Sequence, residues 1–298
     1  MSFFDRYPKS YLKNLSDEEK QIKAVLGDAV DMRFRYQKTC GLFDLTYTVE
    51  DKYIVKFEND KTTRADLRRL AALTAILRAD PNITFEVPDM CAGEYEIEPG
   101  RDVFALWYEK IDGNVLPFHQ MDIYRCMGKE PRRAWNITMQ QIGTFMAQLH
   151  EVPVTDVAHL FPNSVAGRVH AAVLAAVPAL AAEEKNFRRR VFQNVLFAAY
   201  PDYDEVLCHN DLNPWNIALN KDHTIAGVFD WGMAAVNRPN REARFWEYCD
   251  EHVHLIEEAY AKRRGRPLFA EPKAMFVCRQ KVTPDFISAV YKQALRER

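Results

Sequence analysis

The chain has 298 residues, 48% hydrophobic and 28% charged, with a formal net charge of -2. That is enough apolar chain for one large domain or two lobes with their own cores, and it carries no bulk field of the kind that draws a protein to nucleic acid. The six cysteines are scattered without a C-x-x-C pair or a Cys/His cluster, charge comes too early for a signal peptide, and no apolar run reaches the length of a membrane span. The expectation is a reduced, cytoplasmic protein with no structural zinc and no membrane or nucleic-acid partner.

In chain order, residues 16–27 predict a short helix, with Ser16 as N-cap and Asp17, Glu18 and Glu19 placing negative charge at the positive end of the helix dipole. Residues 33–36, 45–49 and 53–57 predict antiparallel strands, the last two joined by a turn at Glu50-Asp51-Lys52. Gly41-Leu42-Phe43-Asp44 falls where a turn can offer backbone N–H groups to phosphate, although it holds a single glycine. Lys56 follows an apolar run, where its amine could reach phosphate; a plain strand-end lysine is the alternative. Residues 64–77 predict a helix with one apolar face (Leu67, Leu70, Leu73, Leu77). Asp66 is the acidic residue this helix offers for orienting Lys56, a surface aspartate being the alternative.

Residues 83–87, stopped by Pro88, and 103–108 predict two more strands, and Asp112-Gly113 marks a turn after them. Residues 136–150 predict an amphipathic helix with His150 packed at its end. Residues 166–182 predict a helix interrupted by Pro178, and 186–200 a further one.

The densest chemistry follows. Val206-Leu207-Cys208 and Ile217-Ala218-Leu219 predict two strands, and the loop between them reads His209-Asn210-Asp211-Leu212-Asn213-Pro214-Trp215-Asn216. A third apolar strand ends in Asp230-Trp231-Gly232. H-x-D, an asparagine after a fixed interval, and D-aromatic-G behind a hydrophobic strand is the spacing that phosphoryl transfer uses. That reaction needs a group that steers a hydroxyl proton, for which Asp211 is suited. It also needs hard oxygen ligands for magnesium, which the Asn216 amide and the Asp230 carboxylate provide; magnesium takes few protein ligands beside phosphate and water. His209 suits a loop-fixing hydrogen bond better than a base.

Beyond Gly232 there is no A-P-E, and the residue before Asp211 is Asn210 rather than arginine. Both features favour a small acceptor over a protein. Residues 242–261 predict a helix made acidic by Glu242, Glu247, Asp250, Glu251, Glu257 and Glu258, a wall that would attract an amine-bearing acceptor, or else a solvated charged helix. Lys262-Arg263-Arg264-Gly265-Arg266 reads as a solvated helix end, and the aromatics from Trp231 to Tyr260 as mostly core.

The 209–216 loop and Phe229-Asp230-Trp231-Gly232 resemble the aminoglycoside phosphotransferase and choline kinase group of protein-kinase-like enzymes. Gly41-Leu42-Phe43-Asp44 before Thr46-Tyr47, Tyr53-Ile54-Val55-Lys56, Ile111-Asp112-Gly113 and Ala147-Gln148-Leu149-His150 lie in the order of that group, so the resemblance spans about residues 30 to 260. It implies an α+β, two-lobed protein-kinase-like fold. Residues 1–108 would be a small antiparallel-sheet lobe that binds nucleotide phosphates, and 109–298 a larger, mainly helical lobe with the catalytic loop, metal and substrate. It implies ATP and Mg2+ as cofactors, with Lys56 and the 41–44 turn on phosphate and the backbone of Tyr108, Glu109 and Lys110 at the adenine. Asp211 would be the base, and Asn216 and Asp230 the metal ligands. The implied reaction is O-phosphorylation of a small hydroxylated molecule, such as an aminoglycoside. A choline-, ethanolamine- or homoserine-type kinase and a non-catalytic nucleotide-binding relative are the alternatives. Three departures stand out: helix 64–77 has no glutamate, Trp215 stands where the group commonly has a small residue, often glycine, and Asn237-Arg238-Pro239-Asn240 leaves the group's pattern.

Overall fold

The computed structural model describes residues 15–31, 33–40, 45–115, 129–246, 250–269 and 280–297; the Gly41-Leu42-Phe43-Asp44 turn expected to meet phosphate lies outside them. The chain divides into two compact units, Met1–Ala79 with Glu86–Asp112, and Asp80–Phe85 with Gly113–Arg298.

In the first unit, β1 (Tyr36–Cys40), β2 (Leu45–Val49), β3 (Tyr53–Phe57), β4 (Cys91–Glu98) and β5 (Arg101–Glu109) form one antiparallel sheet in the order β1-β2-β3-β5-β4. Helix α1 (Asp17–Leu26) opens on a reciprocal cap: Glu19 N donates to Ser16 Oγ at 3.2 Å, and Ser16 N donates to Glu19 Oε2 at 2.7 Å. Its apolar residues Ile22, Val25 and Leu26 pack in one cluster with Tyr47, Val49, Tyr53, Val55 and Phe57. The β2–β3 turn carries Glu50 and Asp51 both at φ 53°, the mirror-image turn that matches strand twist. Because side chains alternate along a strand, Ile54 and Lys56 face away from that core. Lys56 lies opposite Leu106 in the ladder, with Phe104 and Tyr108 on the same face of β5. Helix α2 (Arg64–Arg78) covers this face, with the Arg64 and Arg68 guanidinium carbons 5.5 and 4.9 Å from the Phe104 ring centroid.

Two strand expectations fail here for the same reason: the backbone groups find other partners. Residues 83–87 form no ladder. Asp80 Oδ1 accepts from Asn82 N at 2.9 Å, Thr84 N donates to Gln148 Oε1 at 3.1 Å, and the Phe85 ring meets Phe145 edge-on at 5.5 Å, so the segment up to Phe85 belongs to the second unit. The fourth strand is Cys91–Glu98 instead; Glu94 and Glu96 alternate with Tyr95 and Ile97 on an edge strand, where charge blocks further pairing. The first strand forms at Tyr36–Cys40 rather than 33–36, with Arg35 N donating to Glu50 Oε1 at 2.6 Å.

The second unit is mainly helical. Helices α3 (Lys129–Glu151), α4 (Val165–Ala176), α5 (Lys185–Ala199), α6 (Asp250–Arg264) and α7 (Pro284–Arg296) are its main elements, and Pro178 opens a short 3-10 turn after α4. Val169 and Val173, Val191 and Val195, and Ile287 and Ala294 join α4, α5 and α7 in one core. α3 and α6 touch backbone to backbone at Gly143, where a Cβ would sit 2.2 Å from the Ile256 carbonyl oxygen. Residues 242–261 are not one helix: Pro239–Phe245 forms a 3-10 segment and α6 begins at Asp250. The basic run that closes α6 is exposed at Lys262 and Arg263, as expected for a solvated helix end, and also carries ion pairs, with Arg263 Nη2 2.7 Å from Glu151 Oε2 and Arg266 paired with Asp204. Among the described residues no helix is long and apolar enough to cross a membrane.

Five short strands sit beside these helices. β6 (Asn114–Val115), β8 (Ile217–Leu219) and β9 (Ile225–Val228) pair in the order β6-β8-β9, and β7 (Val206–Cys208) pairs antiparallel with β10 (Ala235–Asn237). The chain therefore leaves β7 through the first motif loop and returns beside it through the second.

Candidate active site

The first motif loop folds back on itself. Asn213 Oδ1 accepts from Trp215 N at 2.9 Å, Pro214 starts a 3-10 turn over Pro214–Asn216, and Asn216 N donates to Asn213 O at 3.0 Å. The turn brings the Asn216 amide onto Asp211: Nδ2 donates to the Asp211 carbonyl at 2.8 Å and to Oδ2 at 2.9 Å. With its NH2 so engaged, Asn216 turns toward other ligands the amide oxygen, the hard donor that magnesium takes. Phe229 N donates to Asn216 O at 3.0 Å, which ties the second loop to the first one residue before Asp230. Asp230 itself is in the left-handed region, φ 61° and ψ 59°. Asp211, Asn216 and Asp230 are thus brought together within one unit.

His209 links the two loops from inside. It is buried; its Nε2 lies 2.9 Å from Phe229 O, and its Nδ1 accepts from Asp211 N at 3.3 Å. A carbonyl only accepts and an N–H only donates, so these partners fix a neutral ring with the proton on Nε2. Burial pushes its pKa down from 6.5, against the pull of Phe229 O, Asp230 and Asp211. Trp231 packs edge-on against the ring at 4.6 Å, is 1% exposed, and donates Nε1 to Val228 O at 3.1 Å. The aromatic of D-W-G is therefore a pin, and Trp246 is a second one, donating Nε1 to Leu212 O at 2.7 Å.

Glu242 completes the support, in a place the sequence did not indicate. Instead of joining an acidic wall it is fully buried, its Oε2 accepting from His209 N at 2.5 Å and its Oε1 from Asn210 N at 3.2 Å. Asn210 holds the φ of 61° that aims both N–H groups at the carboxylate. His150 lies behind it, with Nε2 4.0 Å from Glu242 Oε2 and 3.7 Å from Cys208 Sγ, and Nδ1 2.9 Å from the Tyr260 hydroxyl. His150, Cys208 and Glu242 are chemically capable of holding a metal. Their environment argues for a hydrogen-bonded core: burial, with Glu242 beside it, holds the Cys208 thiol protonated, burial holds His150 neutral, and both Glu242 oxygens already accept backbone N–H groups.

The neutral buried histidines give a pH prediction. His150 and His209 both have folded-state pKa values below the ordinary 6.5, so the unfolded chain binds more protons. Stability is then full above pH 6.5 and falls as pH drops below it, by up to about 1.4 kcal/mol per pH unit for each ring. Thermal unfolding followed from pH 8 to 5 should show the midpoint falling on the acid side; a flat profile would refute the assignment of neutral rings.

In the first unit Lys56 is the fourth of the five residues of β3 and is 5% exposed, on the face that α2 covers. The aspartate expected to orient it does something else. Asp66 Oδ2 accepts from Thr63 N at 3.0 Å and from Thr63 Oγ1 at 2.8 Å, and Oδ1 lies 3.7 Å from Arg69 Nη2. Asp66 is the N3 carboxylate of a capping box, a position set by the helix start and not by the lysine. Of the three residues expected to offer backbone groups to adenine, Lys110 has its N–H engaged by Lys52 O at 2.7 Å. Antiparallel alternation directs the Tyr108 backbone toward β3 as well, and turns that of Glu109 the other way.

Comparison with known proteins adds to this geometry. The phosphotransferase enzyme family profile matches residues 41–240. The chain is similar to the streptomycin–ATP ternary complex of APH(2")-IIa, at 14% identity over 94% of this chain and 86% of that one, with a TM-score of 0.54. It is similar to the GDP complex of wild-type aminoglycoside 2'-phosphotransferase-IIIa, at 19% identity over 93% and 91%, TM-score 0.53. It is also similar to the macrolide 2'-phosphotransferase MphH from Brachybacterium faecium, at 20% identity over 94% and 91%, TM-score 0.52. The fold is the protein-kinase-like one, with a small antiparallel sheet and a helical region.

Proposed function

The chain belongs to the phosphotransferase enzyme family, and we propose that it moves the γ-phosphoryl group of ATP, with magnesium, onto a hydroxyl of a small molecule. The observation that carries this reading is the contact between Asn216 and Asp211 on a loop bonded to the strand of Asp230. A carboxylate suited to proton acceptance and a pair of hard oxygen ligands belong to one hydrogen-bonded assembly. Similar structures solved with ATP and with GDP support a nucleotide.

Asp211 would hold the acceptor hydroxyl by its hydrogen and take that proton as the oxygen attacks. Asn216 fixes the carboxylate for this by its bond to Oδ2. The Asn216 amide oxygen and Asp230 would hold the magnesium, and the Lys56 amine would pair with phosphate oxygens. Bound Mg-ATP supplies the phosphoryl group and the neutralisation of its charge. Glu109, whose backbone groups turn away from β3, would meet the adenine. The expected acidic wall is thinner than its sequence, since Glu242 faces the loop and Glu257 Oε1 accepts from Leu268 N at 2.9 Å. A cytoplasmic setting accords with ATP use and with the free thiols of Cys91 and Cys208.

Titration of Mg-ATP into Asp230→Ala tests the metal assignment. The dissociation constant should rise on the order of tenfold or more, as expected for loss of a charged metal ligand. A constant equal to that of the wild type would remove Asp230 from the metal site.

A further inference from the structure

We infer that Trp215 is an acceptor-binding residue and that the acceptor carries an apolar face beside the hydroxyl it offers; this rests on the phosphotransferase reading above. Among the described residues four large hydrophobics are exposed: Phe197 (50%), Trp215 (52%), Met233 (46%) and Leu295 (42%). Phe197 and Leu295 lie on α5 and α7, where single exposed apolar residues are ordinary. Trp215 and Met233 lie on the two motif loops, and each is linked to Asp211 through a neighbouring residue. The residue after Trp215 bonds the Asp211 carboxylate. The Met233 carbonyl accepts from Asn210 Nδ2 at 3.3 Å, the residue before Asp211.

The stretch of backbone that carries Trp215 is held in place. The Trp215 N–H is held by Asn213 Oδ1, Pro214 fixes the preceding φ, and Asn216 is pinned to Asp211 on the other side. The loop does not need the indole as a pin, because Trp231 and Trp246 already fill that role from inside. An exposed indole on the loop that carries the proton-accepting carboxylate is a platform for apolar surface, and the second motif loop exposes the soft Met233 side chain.

The charge pattern points the same way. Glu242, the first acid after D-W-G, is not available to meet an ammonium group, because it is buried with both oxygens engaged by backbone. Among the described residues the exposed members of the two motif loops are Trp215 and Met233, which suit a hydroxylated molecule with an apolar face, such as a lactone.

The test compares wild type, Trp215→Ala and Trp215→Phe by ADP release at saturating Mg-ATP, with macrolide lactones such as erythromycin and polyamine sugars such as kanamycin as acceptors. ATP hydrolysis without acceptor is the control. Lactone turnover is expected in the wild type. Trp215→Ala should lower kcat/KM by roughly ten- to a hundredfold, mainly through KM for the acceptor, in keeping with the loss of one large apolar contact. Trp215→Phe should keep most of it, and acceptor-free hydrolysis and KM for ATP should stay within about twofold of wild type. Turnover confined to the polyamine sugars, turnover indifferent to Trp215→Ala, or ATP hydrolysis with no lactone turned over would overturn the inference and leave the phosphotransferase reading standing. No Mg-ATP binding by the wild type would remove that reading and the inference with it.

Discussion

Asp211→Asn should lower turnover by on the order of a hundredfold or more while leaving Mg-ATP binding and the unfolding midpoint near wild type. The substitution is nearly isosteric, and the new side-chain oxygen can still accept from Asn216 Nδ2, which now reaches Asp211 Oδ2 at 2.9 Å. The backbone carbonyl of residue 211, which also accepts from Asn216, is unaffected. What is lost is the ability to take a proton. A steady-state assay beside a thermal melt separates the two effects. Turnover unchanged by the substitution would mean that Asp211 does not act as the base, whatever its position.

Glu242→Ala should damage both stability and turnover. It removes the acceptor of two backbone N–H groups, those of His209 and Asn210. Leaving one buried and one part-buried donor unsatisfied costs about 2–4 kcal/mol, a large share of the stability of a typical domain. Glu242→Gln keeps one acceptor oxygen but turns an NH2 toward the other backbone N–H, so its loss should be smaller. In either variant kcat should fall well below the melting temperature, because Asp211 follows directly on the two residues that lose their anchor. A midpoint within about a degree of wild type together with unchanged kcat would show that the carboxylate does not support the loop.

Much of the fold was legible where the signal is local. Ser16 and Glu19 marked the start of α1, the apolar spacing marked α2, and the motif loops fell between the strands expected for them. Contacts that span long stretches of chain were not legible. Glu242 reads as one of a run of acids, and only the 3-10 segment Pro239–Phe245, in place of regular helix, turns it back on a loop far earlier in the chain. His150, Cys208 and Glu242 meet from three separate elements, so no spacing rule could have joined them. Residues 83–87 had the composition of a strand but found side-chain partners, whereas Cys91–Glu98 formed one despite its acids because an edge strand tolerates charge. Asp66 shows a further limit: an acid at the right place on the right helix was bound by the needs of the helix end. Within the candidate site, the residue types and their order were readable, but the bond from Asn216 to Asp211 and the tautomer of His209 required the folded loops.

The most direct test follows the phosphoryl group itself. The wild type and Asp211→Asn would be incubated with magnesium and ATP labelled at the γ-phosphate, in the presence of a panel of hydroxylated small molecules, and the label traced to an acceptor oxygen. Label on an acceptor with the wild type, dependent on magnesium and nearly absent with Asp211→Asn, is the predicted result. Mg-ATP binding with no label on any acceptor, or label transferred equally well by Asp211→Asn, would contradict the account.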